Sequence, residues 1–174
     1  MDTIKAIMTR RSIRRFKDKA VEEKKIETLL RAAMQAPSAR NSQPWHFIVI
    51  TERELLSAIP EFHPYAKMLV QAPAAIMVCG DARIEECIEY INADCSAAAQ
   101  NLLLAAHDLG LGAVWLGIYP RERRVEEIRK LLGIPRTITP IALVALGYAA
   151  EDKGPEERFQ PKRVRRNRWE NIES

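Results

Sequence analysis

Apolar residues recur every three or four positions in several stretches of the chain, and this spacing marks one face of an α-helix. The most regular stretch runs from Glu22 to Gln35 and is followed by Pro37, which cannot continue a helix. Gly110 and Gly133 each follow a periodic stretch, where glycine commonly ends a helix. The pattern predicts a short N-terminal helix and further helices over residues 22–35, 51–59, 92–109 and 122–132.

Two of these helices have a capping signal at the start. Asp2 or Thr3 can cap the first helix, because their side-chain oxygens accept hydrogen bonds from free backbone N–H groups. Thr51 and Glu54 have the spacing of a capping box, which predicts that the third helix follows directly on Thr51.

Short apolar runs between polar loops predict strands over residues 46–50, 74–80 and 141–147, and residues 112–120 predict a strand that leads into a turn. Helices account for most of the predicted structure, and strands and helices do not alternate regularly. The pattern therefore predicts an α+β fold with about four strands in one sheet and excludes a doubly wound dinucleotide-binding fold.

The length of 174 residues suits one domain with a real hydrophobic core, so we expect residues 1–174 to form a single domain. Residues 150–174 show little apolar periodicity and are predicted to form an extended C-terminal arm. Phe159 and Trp169 lie in this arm and would lose apolar burial if it hung free in water. We expect the arm to pack against another surface, with a partner subunit as one candidate.

Positive charge is concentrated near the two ends of the sequence. The segment "TRRSIRRFKDK" carries six basic residues and one acid, and "RFQPKRVRRNR" carries six basic residues and no acid, within a net charge of +4. The rest of the chain is therefore acidic. Such clusters can face a nucleic-acid backbone, an acidic membrane, a small phosphate-bearing ligand or only water.

The sequence disfavours a membrane span, a disulfide, a metal site and a catalytic nucleophile. No stretch is long and apolar enough to span a membrane and no cleavable leader is evident, so we expect a cytoplasmic protein without a membrane partner. Cys79, Cys87 and Cys95 are an odd number without CxxC spacing, which predicts neither disulfides nor a metal site. The histidines are scattered and no motif of nucleophilic catalysis occurs. The polar loop of residues 37–43 offers hydroxyl and amide groups that could bind a planar heterocycle.

Four segments together resemble the FMN-dependent nitroreductase superfamily, in order and spacing over essentially the whole chain. They are "RRSIRRF", "APSARNSQPWHF", "AAAQNLLLAAHDLGLGAVWLG" and the basic C-terminal "RFQPKRV" with "NRW". The resemblance implies a nitroreductase-like fold, with a mainly antiparallel sheet of four to five strands flanked by helices. It also implies a homodimer that exchanges its C-terminal arms and holds two FMN molecules at the interface.

The resemblance assigns the FMN-binding residues in four groups and no catalytic side chain, since the chemistry takes place at FMN N5. The phosphate and ribityl chain are assigned to Arg10, Arg11, Ser12 and Arg14. Arg163, with Lys162 and Arg165 as weaker candidates, would close over the phosphate. The other subunit would contribute Pro37, Ser38, Ala39, Asn41 and Gln43. The Gly117 N–H would point at the flavin edge near N5, with Leu116 beside it. His63, Tyr65 and Lys67 match substrate-side or flavin-contacting positions loosely.

The function implied is NAD(P)H oxidation with transfer of electrons, by a ping-pong mechanism, to a nitroaromatic, a quinone or a similar small acceptor. FMN would be the cofactor and NADH or NADPH the electron donor. The alternatives are other flavin chemistry on the same fold, such as reductive dehalogenation or flavin breakdown, a non-catalytic flavin-binding regulator, and a nucleic-acid-binding protein. The last is disfavoured because aromatic residues are sparse within the basic clusters, so no nucleic-acid partner is expected.

Two departures from the family pattern bear on the substrate. Leu116 stands where many members have an acidic residue, which makes that part of the pocket less polar. The chain also lacks the long helical insertion that covers the flavin in larger members, so we expect an open or differently covered site.

Overall fold

The computed structural model describes residues 2–169, and its regular elements are five helices and four strands among those residues. The helices are α1 (Thr3–Thr9), α2 (Glu23–Met34), α3 (Arg53–Ala58), α4 (Ile88–Asp108) and α5 (Glu122–Leu132). The strands are β1 (Trp45–Ile50), β2 (Ala74–Asp81), β3 (Gly112–Gly117) and β4 (Ile138–Gly147). Short 3-10 turns lie at Ala39–Asn41, Ile59–Glu61, Lys67–Val70 and Pro161–Arg163.

The four strands form one antiparallel sheet in the order β1-β2-β4-β3. The central strands β2 and β4 are buried on both faces, which explains why their sequences are continuous apolar runs. Ile76 and Val144 belong to the core on the side of α2 and α4, whereas Met77 and Leu143 belong to the core on the opposite side. The α+β fold and the number of strands predicted from the sequence are confirmed.

Several predicted boundaries agree closely with the structure. Asp2 caps α1 through a hydrogen bond from the Lys5 N–H to its carboxylate, at 3.1 Å. The bounds of α5 are those predicted, and Gly133 ends it in the left-handed conformation. Gly110 has the same conformation just beyond α4.

Other boundaries were wrong by a few residues. The capping box at Thr51 is not formed, because Glu52 is the N-cap of α3 and makes no side-chain capping bond. Helix α4 starts at Ile88, four residues before the predicted start, and buries Ile91 under the sheet. By contrast, the strand and turn predicted for residues 112–120 are found: β3 ends at Gly117, after which the N–H groups of Ile118 and Tyr119 both donate to the Ile141 carbonyl.

The basic N-terminal segment, residues 10–19, runs along the free edge of β3 and the start of the C-terminal arm. Its backbone donates from Ile13 to the Ala113 carbonyl at 3.0 Å and from Lys17 to the Tyr148 carbonyl at 2.8 Å. Ile13 and Phe16 point into the core, with 8% and 6% of their surface exposed, so the arginines between them face outward. The segment is thereby held as a strand-like edge beside the start of β3 and the end of β4.

The C-terminal arm is extended beyond its first few residues. In the part of the arm that the structure describes, the one regular element is the turn Pro161–Arg163. Phe159 and Trp169 are 71% and 81% exposed within a single chain. Neither ring is buried within one chain, so burial of either ring would need a surface of another chain. The exchange of arms stays a prediction.

Candidate functional site

A cavity of about 460 Å³ opens at the end of β3, where the basic segment, the loop before Lys67 and the first turn of α5 meet. We call it the cationic cavity. It is lined by Arg14, His63, Pro64, Tyr65, Lys67, Met68, Trp115, Leu116, Gly117 and Arg124. Three of the residues named from the sequence as cofactor-binding, Arg14, Leu116 and Gly117, are therefore brought together, with the loosely matched His63, Tyr65 and Lys67 around them.

The charge of this cavity is one-sided. Arg14, Lys67 and Arg124 line it, and no aspartate or glutamate does. Within residues 2–169 none of these three cations forms an ion pair with a carboxylate. An unneutralised group of cations around a concave surface favours a ligand that carries or develops negative charge.

Gly117 has two donors on its carbonyl and open space beside its α-carbon. The His63 Nε2 donates to the Gly117 oxygen at 3.1 Å and the Arg124 Nη1 donates to the same oxygen at 2.8 Å. A Cβ added at Gly117 would meet no atom within 4 Å, so the absence of a side chain leaves this backbone open to the cavity. A flat ligand could approach the peptide closely there.

His63 is held neutral by its surroundings. The Gly117 carbonyl can only accept, so the proton of the neutral ring lies on Nε2 and Nδ1 is left as an acceptor. Burial lowers the pKa of His63, and the neighbouring Arg124 charge lowers it further. His63 is 1% exposed and its Nδ1 has no hydrogen-bond partner, so the ring forms a fixed wall of the cavity.

Arg10 and Arg11 line a second, smaller hollow of about 210 Å³, whose lining also includes Glu151, Asp152 and Lys153. Burial lowers the pKa of Arg10, as do the charges of Arg158 and Arg11. Among the described residues Arg10 has no carboxylate partner, whereas Arg11 pairs with Glu156. The Arg11 Nε is itself buried without a partner, so this hollow retains unused donors for an anion.

The start of the C-terminal arm fixes the backbone of the basic segment. Glu151 accepts hydrogen bonds from the N–H groups of Arg14 and Arg15, which lower the pKa of Glu151 together with its contact to Lys153. Lys153 in turn donates to the Ser12 carbonyl at 2.8 Å. These bonds fix the backbone from Ser12, which is half-buried, to Arg15.

The loop from Pro37 to Gln43 does not line the cationic cavity, and its backbone is strained. Arg40, Asn41 and Gln43 have φ angles of 53°, 56° and 51°, which non-glycine residues adopt at a cost. The Ala39 N–H donates to Asp94 and the Gln43 N–H to the Ser38 hydroxyl, each at 3.0 Å, and these bonds hold the loop in shape. Such strain concentrates at functional sites.

This loop precedes β1, which is the edge strand opposite β3. Three strand spacings separate the two edges, or about 14 Å. Pro37, Ser38, Ala39, Asn41 and Gln43 are therefore not brought together with Gly117 or the basic segment within one chain. A site that used both sets would need a second copy of the chain.

The three basic residues of the C-terminal arm that were predicted to bind the phosphate line neither the cationic cavity nor the hollow at Arg10 and Arg11 within one chain. Lys162 and Arg163 lie in the exposed turn Pro161–Arg163. The Arg165 guanidinium lies 5.2 Å from the Trp169 ring centroid and donates to the Lys162 carbonyl. Instead, Glu156 pairs with Arg11, and the charge of Arg158 acts on Arg10.

Arg124 was missed by the sequence analysis. It stands in the run "ERRVEE" at the start of α5, which reads as an ordinary solvated helix face. The contact of Arg124 with the Gly117 carbonyl depends on how the chain after β3 turns back, and no local pattern records this.

None of the helices in residues 2–169 is both long and apolar enough to cross a membrane. The same residues contain no group of three or more His, Cys, Asp or Glu side chains arranged to hold a metal ion. His46 and Asp81, which are close to each other at 3.2 Å, form a pair with Arg83 rather than part of such a group.

Comparison with known proteins gives consistent matches over nearly the whole chain. The nitroreductase family profile matches residues 7–75 and 62–148. A Methanothermobacter thermautotrophicus protein, provisionally named NADH dehydrogenase/NAD(P)H nitroreductase, is 51% identical over 97% of this chain and 88% of its own. A crystal structure from Parabacteroides distasonis with the same provisional name has a TM-score of 0.93 at 42% identity, covering 96% of this chain and 98% of that one. An FMN-dependent nitroreductase from Clostridium difficile has a TM-score of 0.88 at 30% identity, covering 95% and 99%.

Proposed function

The chain belongs to the nitroreductase family, and on this basis we propose that it is an NAD(P)H-dependent flavin oxidoreductase with FMN as its cofactor. A relative with this fold is named as FMN-dependent, and the Methanothermobacter relative is named for NAD(P)H. The observation that carries the proposal is the open face of Gly117 at the wall of a cavity with three unpaired cations.

The residues present fit FMN at both of its ends. Arg10 without a carboxylate partner and the buried, unpartnered Nε of Arg11 offer charge-assisted donors to a phosphate dianion. The missing side chain at Gly117 leaves room for a planar ring against the backbone. Arg14 lines the cationic cavity together with Gly117, where its charge would stabilise negative charge on a reduced ring.

When bound, FMN would supply the electron chemistry by taking a hydride at N5 from the donor and giving the electrons to the acceptor. The protein's own residues bind and orient. His63 and Arg124 fix the Gly117 peptide through its carbonyl, and Leu116 excludes water beside it. No side chain then has to act as a nucleophile or a general base, which agrees with the absence of a catalytic motif.

We further propose a ping-pong mechanism with nitroaromatic or quinone acceptors. The cationic cavity is the one hollow among the described cavities that reaches Gly117, so donor and acceptor would both approach the flavin through the same opening. NADH or NADPH would have to leave before the acceptor entered. Initial rates measured against both substrates should give parallel double-reciprocal lines, and intersecting lines would rule out this order.

The functional unit would be a homodimer with two flavin sites at its interface. The position of the loop of residues 37–43 at the opposite sheet edge supports this, since a second chain could bring that loop to the flavin. Exchange of the C-terminal arms would bring Arg163, with Lys162 and Arg165 nearby, to the phosphate of the other subunit. A monomer in solution that retains full FMN affinity would overturn this part of the proposal.

A further inference from the structure

Arg124 occupies the rim of the cationic cavity with most of its hydrogen-bonding capacity unused. One of its five N–H donors is directed to the Gly117 carbonyl, and within the described residues the guanidinium has no carboxylate partner. A planar guanidinium with free donors beside a cavity is well suited to bind a carboxylate.

An aromatic side chain stands next to this guanidinium. The Arg124 guanidinium carbon lies 5.6 Å from the ring centroid of Tyr65, and the ring is held edge-on to His63 at 6.4 Å. Tyr65 is 72% exposed, so its ring borders the mouth of the cavity. A planar substrate entering there would meet an aromatic surface on one side and a cation on the other.

The charge of the cavity exceeds what the proposed cofactor requires there. The phosphate of FMN is assigned to the separate hollow at Arg10 and Arg11. Arg14 is assigned to stabilise negative charge on the reduced ring. Lys67 and Arg124 remain, and no acidic residue lines the cavity to neutralise them. Their charge is available to a substrate.

We propose that the physiological acceptor is an anionic planar compound, a carboxylate-bearing aromatic or quinone, and that Arg124 is the residue that selects its charge. This proposal rests on the proposed function and specifies its substrate class. With a nitroaromatic carboxylate, one NAD(P)H and one proton convert the nitro group to a nitroso group, giving NAD(P)⁺ and water. The carboxylate takes no part in this electron transfer and serves for binding alone.

The test compares two acceptors of nearly the same shape, para-nitrobenzoate and para-nitrobenzamide, with the FMN-loaded protein and saturating donor. The measured quantity is the ratio of kcat/KM for the anion to that for the amide. Arg124→Gln should lower this ratio about tenfold, which is the scale of one charge-assisted hydrogen bond. The ratio isolates charge, because disturbance of the Gly117 carbonyl affects both acceptors together.

Two matched variants complete the design. Arg123→Gln removes an exposed arginine that does not line the cavity, and the ratio should stay at the wild-type value. Arg124→Lys retains the charge, so most of the preference should return. In the wild-type protein, added salt should lower kcat/KM for the anion more than for the amide.

The outcomes separate the two proposals. Turnover of both acceptors with an equal ratio in the wild type and Arg124→Gln would overturn charge selection and leave the proposed function intact. If Arg124→Gln fails to fold, a salt-independent ratio in the wild type overturns charge selection instead. Failure of the FMN-loaded wild type to reduce either acceptor would overturn the proposed function, and this proposal with it.

Discussion

The buried ring of His63 donates a hydrogen bond of 3.1 Å from Nε2 to the carbonyl oxygen of Gly117, at the end of the edge strand β3. Arg124 donates to the same oxygen at 2.8 Å. The Gly117 carbonyl is thus fixed from two sides, while the α-carbon of this residue faces open space. The backbone at Gly117 is therefore both held rigid and left accessible to a ligand.

Replacing the glycines at the two ends of β3 by alanine should distinguish an effect on FMN binding from an effect on stability. Gly117→Ala meets no neighbouring atom, so the free energy of unfolding should change by less than about 1 kcal/mol. The added methyl group should nevertheless lower FMN affinity, because it enters the space assigned to the ring. Unfolding in urea and FMN titration measure the two effects.

Gly112→Ala is the matched control at the other end of the strand. Its Cβ would come within 2.6 Å of an Ile13 side-chain carbon, so overpacking should cost about 1–3 kcal/mol. The account of Gly117 would fail if Gly117→Ala retained wild-type FMN affinity in a protein of unchanged stability.

The neutral state of His63 should make stability depend on pH. Its pKa is lowered below the ordinary 6.5 by burial and by Arg124, so the unfolded chain takes up the proton first as the pH falls. The contribution of His63 to stability is full above about pH 6.5 and decreases below it, toward its folded pKa. His63→Gln keeps an N–H donor for Gly117 but cannot titrate.

Urea unfolding at several pH values between about 8 and 5 tests this point. The variant should lose less stability than the wild type over that range, and His107, whose pKa is also lowered by burial, contributes equally in both proteins. Identical pH dependence in the two proteins would show that His63 is not the group that titrates.

Removal of Arg10 should weaken FMN binding with little effect on the fold. Arg10 lacks a carboxylate partner among the described residues, so Arg10→Ala leaves no buried acid unpaired. Loss of one charge-assisted contact to phosphate should raise the FMN dissociation constant about tenfold or more. Arg15→Ala, which removes an exposed arginine on the same segment, should leave it unchanged.

Arg163→Ala should also weaken FMN binding if arms are exchanged, although Arg163 lies away from the site in one chain. Flavin fluorescence titration measures all three variants. Equal affinity of Arg10→Ala and Arg163→Ala with the wild type would remove the phosphate assignment.

Truncation of the arm before Phe159 should destabilise the dimer and release FMN. Phe159 is 71% exposed in one chain, so its ring is free to be buried by a partner. Sedimentation at decreasing protein concentration should show the truncated chain dissociating at a higher concentration than the full chain. A truncated protein with an unchanged dimer would contradict arm exchange.

The sequence predicted elements well where their signals are local. The apolar spacing and the charges of α5 lie within its own residues and Gly133 directly follows them, and these bounds were predicted as found. The start of α4 was misplaced because Ile88 and Ile91 gain their helical environment only by packing under the sheet. The failed capping box at Thr51 shows that spacing alone does not decide which residue caps a helix.

The candidate site was predictable in part, for the same reason. Arg14, Leu116 and Gly117 belong to recognisable segments, and the fold brings them to one cavity. Arg124 joins them through a turn of the chain that leaves no sequence pattern. The loop of residues 37–43 lies at the opposite sheet edge, so its proposed role depends on a second chain and could not follow from one chain's contacts.

The most direct test of the central claim is the visible spectrum of the purified protein before and after anaerobic addition of NADH or NADPH. We predict flavin absorbance, one FMN per chain after reconstitution, and bleaching of that absorbance by one of the two donors. Its colour should return when a nitroaromatic or quinone is added. A protein that stays colourless with excess FMN, or holds FMN that neither donor reduces, would contradict the account.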